Sequence, residues 1–316
     1  MIKNEILLIG TGPMAIAYSR VFQGMNLTFS VVGRGEDSAK RFNEEIGVMP
    51  FVGGVRQYLK KSKPGINSFI FITTGTENLM PVLLDLLDCG VYNILIEKPA
   101  ALSIEELLLN RKVLENYKGN IFVAYNRRFY ASVLESEKLI NEDGGLESMF
   151  FEFTEWAHKI EPLEKAHGVK ENWFFANSTH VVDLAFHIAG KPENWHTYSK
   201  IGSLSWHNKT NFSGAGITKN GVIFSYLSNW ECPGRWSIEL LTKKRRIYLK
   251  PLEGVAVQNL GSVLVNEFKF DDHLDVKYKP GIYKQVEAFF NGNTSRLISI
   301  ADHIVNSESI YYKIIS

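Results

Sequence analysis

Gly10-Thr11-Gly12-Pro13-Met14-Ala15 reads G-x-G-x-x-A and lies between the apolar run Ile6–Ile9 and a stretch with helical spacing. The first glycine permits a tight turn, the second lets backbone approach a bulky anion, and the small third residue lets helix and strand pack closely. A helix that starts there offers free N–H groups and the positive end of its dipole. The chemistry that suits this spacing is pyrophosphate binding, with Gly10, Gly12, Pro13 and Met14 against the ligand; strand before and helix after make an otherwise weak motif informative. Arg34 follows 19 residues after Ala15, at the end of the next strand-like stretch. An acidic residue there bonds the ribose 2′-hydroxyl of NAD, whereas a guanidinium pairs with a 2′-phosphate. Arg34 therefore favours NADP(H) over NAD(H), while Glu36 and Asp37, slightly further on, leave NAD open.

A second group of reactive side chains sits further along. The apolar run Ile94–Ile96 ends in Glu97-Lys98-Pro99. In an open parallel sheet, ligands bind beyond the carboxyl ends of the strands, where this spacing puts Lys98. His180, Asp183 and His187 share roughly one helix face and could in principle ligate zinc. The spacing is not a known zinc pattern and no fourth ligand can be placed, so no metal site is expected.

The elements that must position these residues divide into two patterns. In the first third, strand-like runs at 6–9, 28–32, 69–72, 93–96 and 120–124 alternate with helical stretches. One of these carries Met14, Ala17, Tyr18, Val21 and Phe22 on a single face and stops at Gly24; another, from Ile104 to about Tyr117, opens with the capping pair Ser103 and Glu106. Strands and helices alternating in this way predict a parallel sheet covered on both faces. From about residue 125 the period becomes two. Met149, Phe151 and Phe153 alternate with their neighbours, and further runs follow at 197–204, 211–218, 222–231, 235–242 and 245–250, with turn signals at Asn220-Gly221 and Pro233-Gly234. This predicts an α/β chain: a dinucleotide-binding domain over 1–124, then an α/β domain over 125–316 with a large, mostly antiparallel sheet. Leu297, Ile300, Ala301, Ile304 and Val305 predict a final helix.

Together, the Gly10–Ala15 turn, Thr73-Thr74-Gly75, Glu97-Lys98-Pro99, the segment Tyr125-Asn126-Arg127-Arg128-Phe129 and the segment from Asn177 to Asp183 make the chain resemble the Gfo/Idh/MocA family of NAD(P)-dependent oxidoreductases, in the right order over essentially the whole length. The resemblance implies a Rossmann domain followed by an open-sheet α/β domain for substrate binding and oligomerisation, and a sugar, polyol or related substrate. It implies that Lys98 and His180 are catalytic and that Thr73, Thr74, Glu97 and Asn126 line the cofactor. It also implies that the exposed sheet face makes a homodimer or homotetramer. The roles agree with the chemistry: hydride transfer to a carbonyl builds negative charge that an ammonium stabilises, and an imidazole can exchange the proton near neutral pH. Tyr125, Trp156, Asn172, Trp173 and Asn177 are candidate substrate contacts, since aromatic faces and amides suit sugar rings, though the tryptophans also fit ordinary core packing. One departure is Ala176. Many polyol-oxidising members of the family carry an aspartate four residues before the histidine, so the pattern leans toward a nucleotide-activated or surface-glycan sugar.

Lys plus Arg number 35 and Asp plus Glu 34 in 316 residues, and that near-balance argues against nucleic-acid or anionic-membrane partners. Lys243–Arg246 is the one basic run, placed where a hairpin would be. Cys89 and Cys232 are too few and too far apart for a disulfide framework or a cysteine zinc site. With a short apolar N-terminal run and no long apolar span, the expectation is a cytoplasmic location. A nucleotide-hydrolysing phosphate loop and a serine-hydrolase elbow are both missing from the sequence. The expected function is NAD(P)(H)-dependent transfer of a hydride to or from a sugar or activated sugar. The alternatives are a redox-neutral epimerase, lyase or hydrolase with tightly bound cofactor, or a non-catalytic nucleotide sensor.

Overall fold

The computed structural model describes residues 5–316. The chain divides into two compact units, one comprising residues up to Tyr125 plus Lys277–Val305, the other Asn126–Val276 plus Asn306–Ser316.

In the first unit the apolar runs become β1 (Ile6–Ile9), β2 (Ser30–Val32), β3 (Phe69–Ile72), β4 (Asn93–Glu97) and β5 (Asn120–Ala124). They pair in parallel in the order β5-β4-β3-β1-β2. All of β1 and β3 is buried, as runs without alternation require when both faces are covered. The crossovers include α1 (Pro13–Gly24), α2 (Glu36–Ile46), α3 (Gly54–Lys61) and α4 (Thr76–Leu87). β2 starts at Ser30 rather than Thr28, because its pairing with β1 begins at Leu7 opposite Ser30. The capping pair forms: Ser103 Oγ accepts from Glu106 N at 3.2 Å, and the Glu106 carboxylate accepts from Leu102 N at 2.6 Å. The helix that follows ends early, at Leu109. Asn110 turns its amide back onto Glu106 O at 2.9 Å, and a separate short helix spans Arg111–Asn116.

The segment Lys277–Val305 groups with the first unit, whereas the sequence reading assigned all of 125–316 to the second. The reason is aromatic. On the helix Ile282–Phe290, Phe289 meets Phe69 and Phe71 edge-on at 5.3 and 5.5 Å, and Phe290 meets Phe69 at 4.8 Å. Ile298–Ser299 then adds an antiparallel edge strand to β5, with Ile298 opposite Val123. The predicted last helix accordingly starts at Ile300, and Val305 is exposed rather than on the buried face.

The second unit holds an eight-stranded sheet. Its strands are β6 (Ser148–Glu152), β7 (Pro192–Ile201), β8 (Lys209–Thr218), β9 (Ile223–Asn229), β10 (Ser237–Leu241), β11 (Arg245–Leu249), β12 (Ala256–Asn259) and β13 (Asn266–Glu267). The order is β13-β12-β11-β10-β6-β9-β8-β7, antiparallel except for the β6–β9 pair. One face is apolar: Phe151 and Phe224 lie 5.6 and 5.1 Å from Phe186 on the helix Thr179–Ala189. β12 and β13 lie beyond the predicted strands; they are short and mostly polar at their exposed positions. The basic run does form the β10–β11 hairpin, and acidic neighbours neutralise it. Asp143 takes Arg245 at 2.8 Å, Glu239 pairs with Arg246, and Glu147 lies 3.5 Å from Lys243. Among the described residues, no helix is long and apolar enough to cross a membrane.

Candidate active site

The first unit contains a cleft of about 660 Å³ at the carboxyl ends of β1, β2 and β3. That volume falls within the range of small-ligand sites. Gly10, Gly12, Arg34, Thr73 and Thr74 line it, while Pro13, Met14 and Glu97 do not. Gly10 has φ +122°, and a Cβ on it would stand 2.7 Å from Thr73 Oγ1 and 2.8 Å from Thr73 O, so only glycine fits between β1 and β3. Gly12 differs: a Cβ on it would meet nothing within 4 Å and would project into open space. α1 opens at Gly12 with Pro13 in its first turn and no side-chain cap, leaving its first N–H groups for a ligand. Thr73 Oγ1 donates to Ile9 O at 3.0 Å, a structural bond, whereas Thr74 Oγ1 is buried with no hydrogen-bond partner. An uncapped helix start, an open backbone approach and an orphaned hydroxyl fit a dinucleotide.

At the β2 end of the cleft, Arg34 Nη1 donates to Asn78 Oδ1 at 3.4 Å. Ser38 and Arg56 also line the cleft, and Arg56 is paired with Asp85 at 2.8 Å. Glu36 and Asp37 stand in the first turn of α2 and do not line it. No motif spacing marks Ser38 or Arg56 in the sequence.

β4 delivers Glu97 and Lys98 to a turn closed by Ala100 N to Glu97 O at 3.0 Å, with Ala100 at φ +72°. His303 Nε2 lies 2.9 Å from Pro99 O, and its ring is 5.6 Å from that of buried Tyr125. Burial pushes the Glu97 carboxyl up to about 7, against the opposing pull of Lys98 and the Tyr18 hydroxyl 3.2 Å away.

In the second unit, Asn126 is buried in the 3₁₀ turn Asn126–Phe129 and hydrogen-bonds Tyr130. His180 sits in the first turn of the helix Thr179–Ala189, entered through a π-helical turn at Phe174–Ser178. Its ring lies 6.1 Å from Trp236. Asp183, one turn on, is engaged by Arg128 through two bonds of 2.7 and 2.6 Å. Among the described residues, no group of three or more His, Cys, Asp or Glu is arranged to hold a metal.

Glu155 anchors the turn before His180. It is 1% exposed, and it accepts from Ser178 Oγ at 2.7 Å and from Asn177 Nδ2 at 3.0 Å. Burial raises its pKa. Asn177, a candidate substrate contact, thus spends its amide on Glu155. Asn172 donates to Gly168 O at 2.9 Å, and buried Trp173 packs against Trp206, so these two are held by local structure. Trp156 is 45% exposed, its indole N–H donating to Gly234 O, and Arg235 covers its ring at 4.7 Å. No motif marks Glu155, Arg235 or Trp236 in the sequence. One signal was present for Glu155: it continues the inward period-two series of Met149, Phe151 and Phe153.

No protein-family model and no curated protein sequence matches the chain. Solved structures do. An oxidoreductase from Agrobacterium radiobacter, in complex with NAD+, L-tartaric acid and magnesium, superposes with a TM-score of 0.74 at 14% identity, over 99% of this chain and 97% of its own. An oxidoreductase from Desulfitobacterium hafniense described as NADPH-dependent gives 0.74 at 15% identity, over 99% and 97%. Levoglucosan dehydrogenase, in complex with NADH and L-sorbose, gives 0.74 at 17% identity, over 100% and 97%. The likeness is one of fold. It extends the α/β architecture, with its Rossmann-like sheet and large second sheet, over nearly the whole chain.

Proposed function

We propose that the protein is an NAD(P)(H)-dependent oxidoreductase of sugars or sugar derivatives, nucleotide-activated sugars included, and that NADP(H) is its preferred cofactor. The observation that carries this reading is the cleft of the first unit: an uncapped helix start behind Gly10 and Gly12, with Arg34 at the end where Glu36 and Asp37 do not reach. It is supported by the neighbours' fold, since those proteins were solved or described with NAD+, NADH or NADPH, and one of them with L-sorbose.

In this reading Gly10 and Gly12 hold the pyrophosphate, Arg34 pairs with the 2′-phosphate, and Thr73, Thr74 and Asn126 contribute to the nicotinamide end. When bound, the nicotinamide would supply or accept a hydride at a substrate carbon. Lys98 stabilises negative charge on the substrate oxygen, and His180 gives or takes its proton. Tyr125 and Trp156 remain candidate substrate contacts.

Titration of wild type and Lys98→Ala with NADPH and NADH, followed by nicotinamide fluorescence, tests the reading. NADPH should bind both proteins alike and more tightly than NADH by about tenfold or more, as expected of one charge-assisted pair. Only wild type should turn over a sugar carbonyl or alcohol. Preference for NADH would transfer the ribose contact to Glu36 or Asp37, an active Lys98→Ala would remove Lys98 from the chemistry, and binding of neither cofactor would sink the proposal.

A further inference from the structure

Arg127 and Arg235 each stack on the indole of Trp236, with the guanidinium carbon 4.7 Å from the ring centroid. The two differ in their surroundings. Arg235 is 44% exposed at its side chain, lies 3.6 Å from Glu155 and covers Trp156 as well. Arg127 makes ring contacts with Trp236 and Tyr130, and its Nε is buried with no hydrogen-bond partner. The Trp236 indole N–H is likewise buried without an acceptor, in a residue 6% exposed.

A guanidinium N–H placed away from water ordinarily comes with an acceptor to receive its hydrogen, and the Arg127 Nε has none. Glu253 and Glu155 act on Arg127 only at a distance; burial lowers its pKa and the like charge of Arg235 adds to that effect, while Tyr130 and the two carboxylates oppose it. Two mutually repelling cations and an orphaned N–H thus converge on one indole, and that indole touches the ring of His180.

We infer that Arg127, Arg235 and the Trp236 N–H form a receptor for an anionic oxygen group, a carboxylate or a phosphate, carried by a polyhydroxy ligand. Such groups carry lone pairs for several N–H donors, and their charge relieves the repulsion between the arginines. A neutral hydroxyl can satisfy the N–H but not the charge. The claim that the ligand is the substrate rests on the oxidoreductase reading; the claim that the receptor binds an anion does not.

Calorimetric titration of the full-length chain with D-glucuronate, D-glucose 6-phosphate and D-glucose, with and without saturating NADPH, tests the receptor. At least one anionic probe should bind more tightly than D-glucose by about tenfold or more, the scale of a charge-assisted hydrogen bond. Comparing the two anionic probes distinguishes carboxylate from phosphate. Arg127→Gln and Arg235→Gln should each bring the anionic-to-neutral affinity ratio close to one, and Arg235→Lys should retain part of the preference. Arg235 is exposed enough for its variants to fold, which keeps the test decisive if Arg127→Gln does not. Equal affinities, no binding of either anion, or a preference that survives Arg235→Gln would overturn the receptor. A preference seen with no binding of NADPH or NADH would uphold the receptor and remove the oxidoreductase reading; cofactor binding without the preference would do the reverse.

Discussion

Tyr18 has one phenolic hydrogen and two acceptors within reach, Glu97 Oε1 at 3.2 Å and Gln285 Oε1 at 2.9 Å. Gln285 Nε2 is itself buried without a partner, so turning that amide over lets Gln285 donate to the phenol oxygen while Tyr18 donates to Glu97. Burial pushes the Glu97 carboxyl up to about 7. The sign for stability follows. The native state keeps this proton up to about pH 7, while the unfolded chain releases it near 4.5, so stability from this group is present below that lower value and is lost as pH rises through the window. Urea midpoints measured at about pH 5 and about pH 8 should fall more steeply for wild type than for Glu97→Gln, which keeps the shape without the titration. An equal slope in both would place the proton elsewhere. Single residues were legible in the sequence where a motif or a strand end announced them, as with Gly10, Arg34 and Lys98. Arg235 and Trp236 were not, because they take their place from β10, which pairs with β6 across tens of residues, a relation that local pattern does not carry.

The elements around the cleft of the first unit separate fold from binding. Gly10→Ala forces an L-residue to φ +122° and drives its methyl into Thr73, so it should destabilise the protein by about 2 kcal/mol or more. Gly12→Ala meets open space in an extended backbone and should cost about 1 kcal/mol at most. Under the proposed function its methyl would occupy the approach of the pyrophosphate, so NADPH binding should weaken by about tenfold or more. Denaturant melts and cofactor titrations on the two variants check the contrast; equal losses of stability would mean the two glycines serve the same purpose. Buried parallel strands were the most legible elements, since runs such as Phe69–Ile72 need no partner to be recognised. The strand Ile298–Ser299 was read as helix because its few apolar residues suit either period, and pairing with β5 decides between them.

At the scale of the whole molecule, the second sheet leaves one face uncovered in the described chain. Tyr198, Ser213 and Leu227 form one row across β7, β8 and β9, and Tyr198 and Leu227 are 75% and 49% exposed. Ile223, on the same face of β9, is 63% exposed. Apolar rows of this kind mark interfaces, and we propose that two copies meet there. Light scattering should give a homodimer or homotetramer for wild type and a smaller species for Leu227→Glu; a monomeric wild type would exclude the interface. The division of the chain into sheets with different periods was visible at the outset, but the return of Lys277–Val305 to the first unit was not, since nothing in its composition distinguishes it. That return bears on synthesis. A ribosome that has released β1 to β5 has not yet made Phe289 and Phe290, which cover Phe69 and Phe71, nor Ile298, which closes the edge of β5. The first unit must therefore wait, its sheet partly bare, while the whole intervening unit is translated, and chaperones have that interval in which to act.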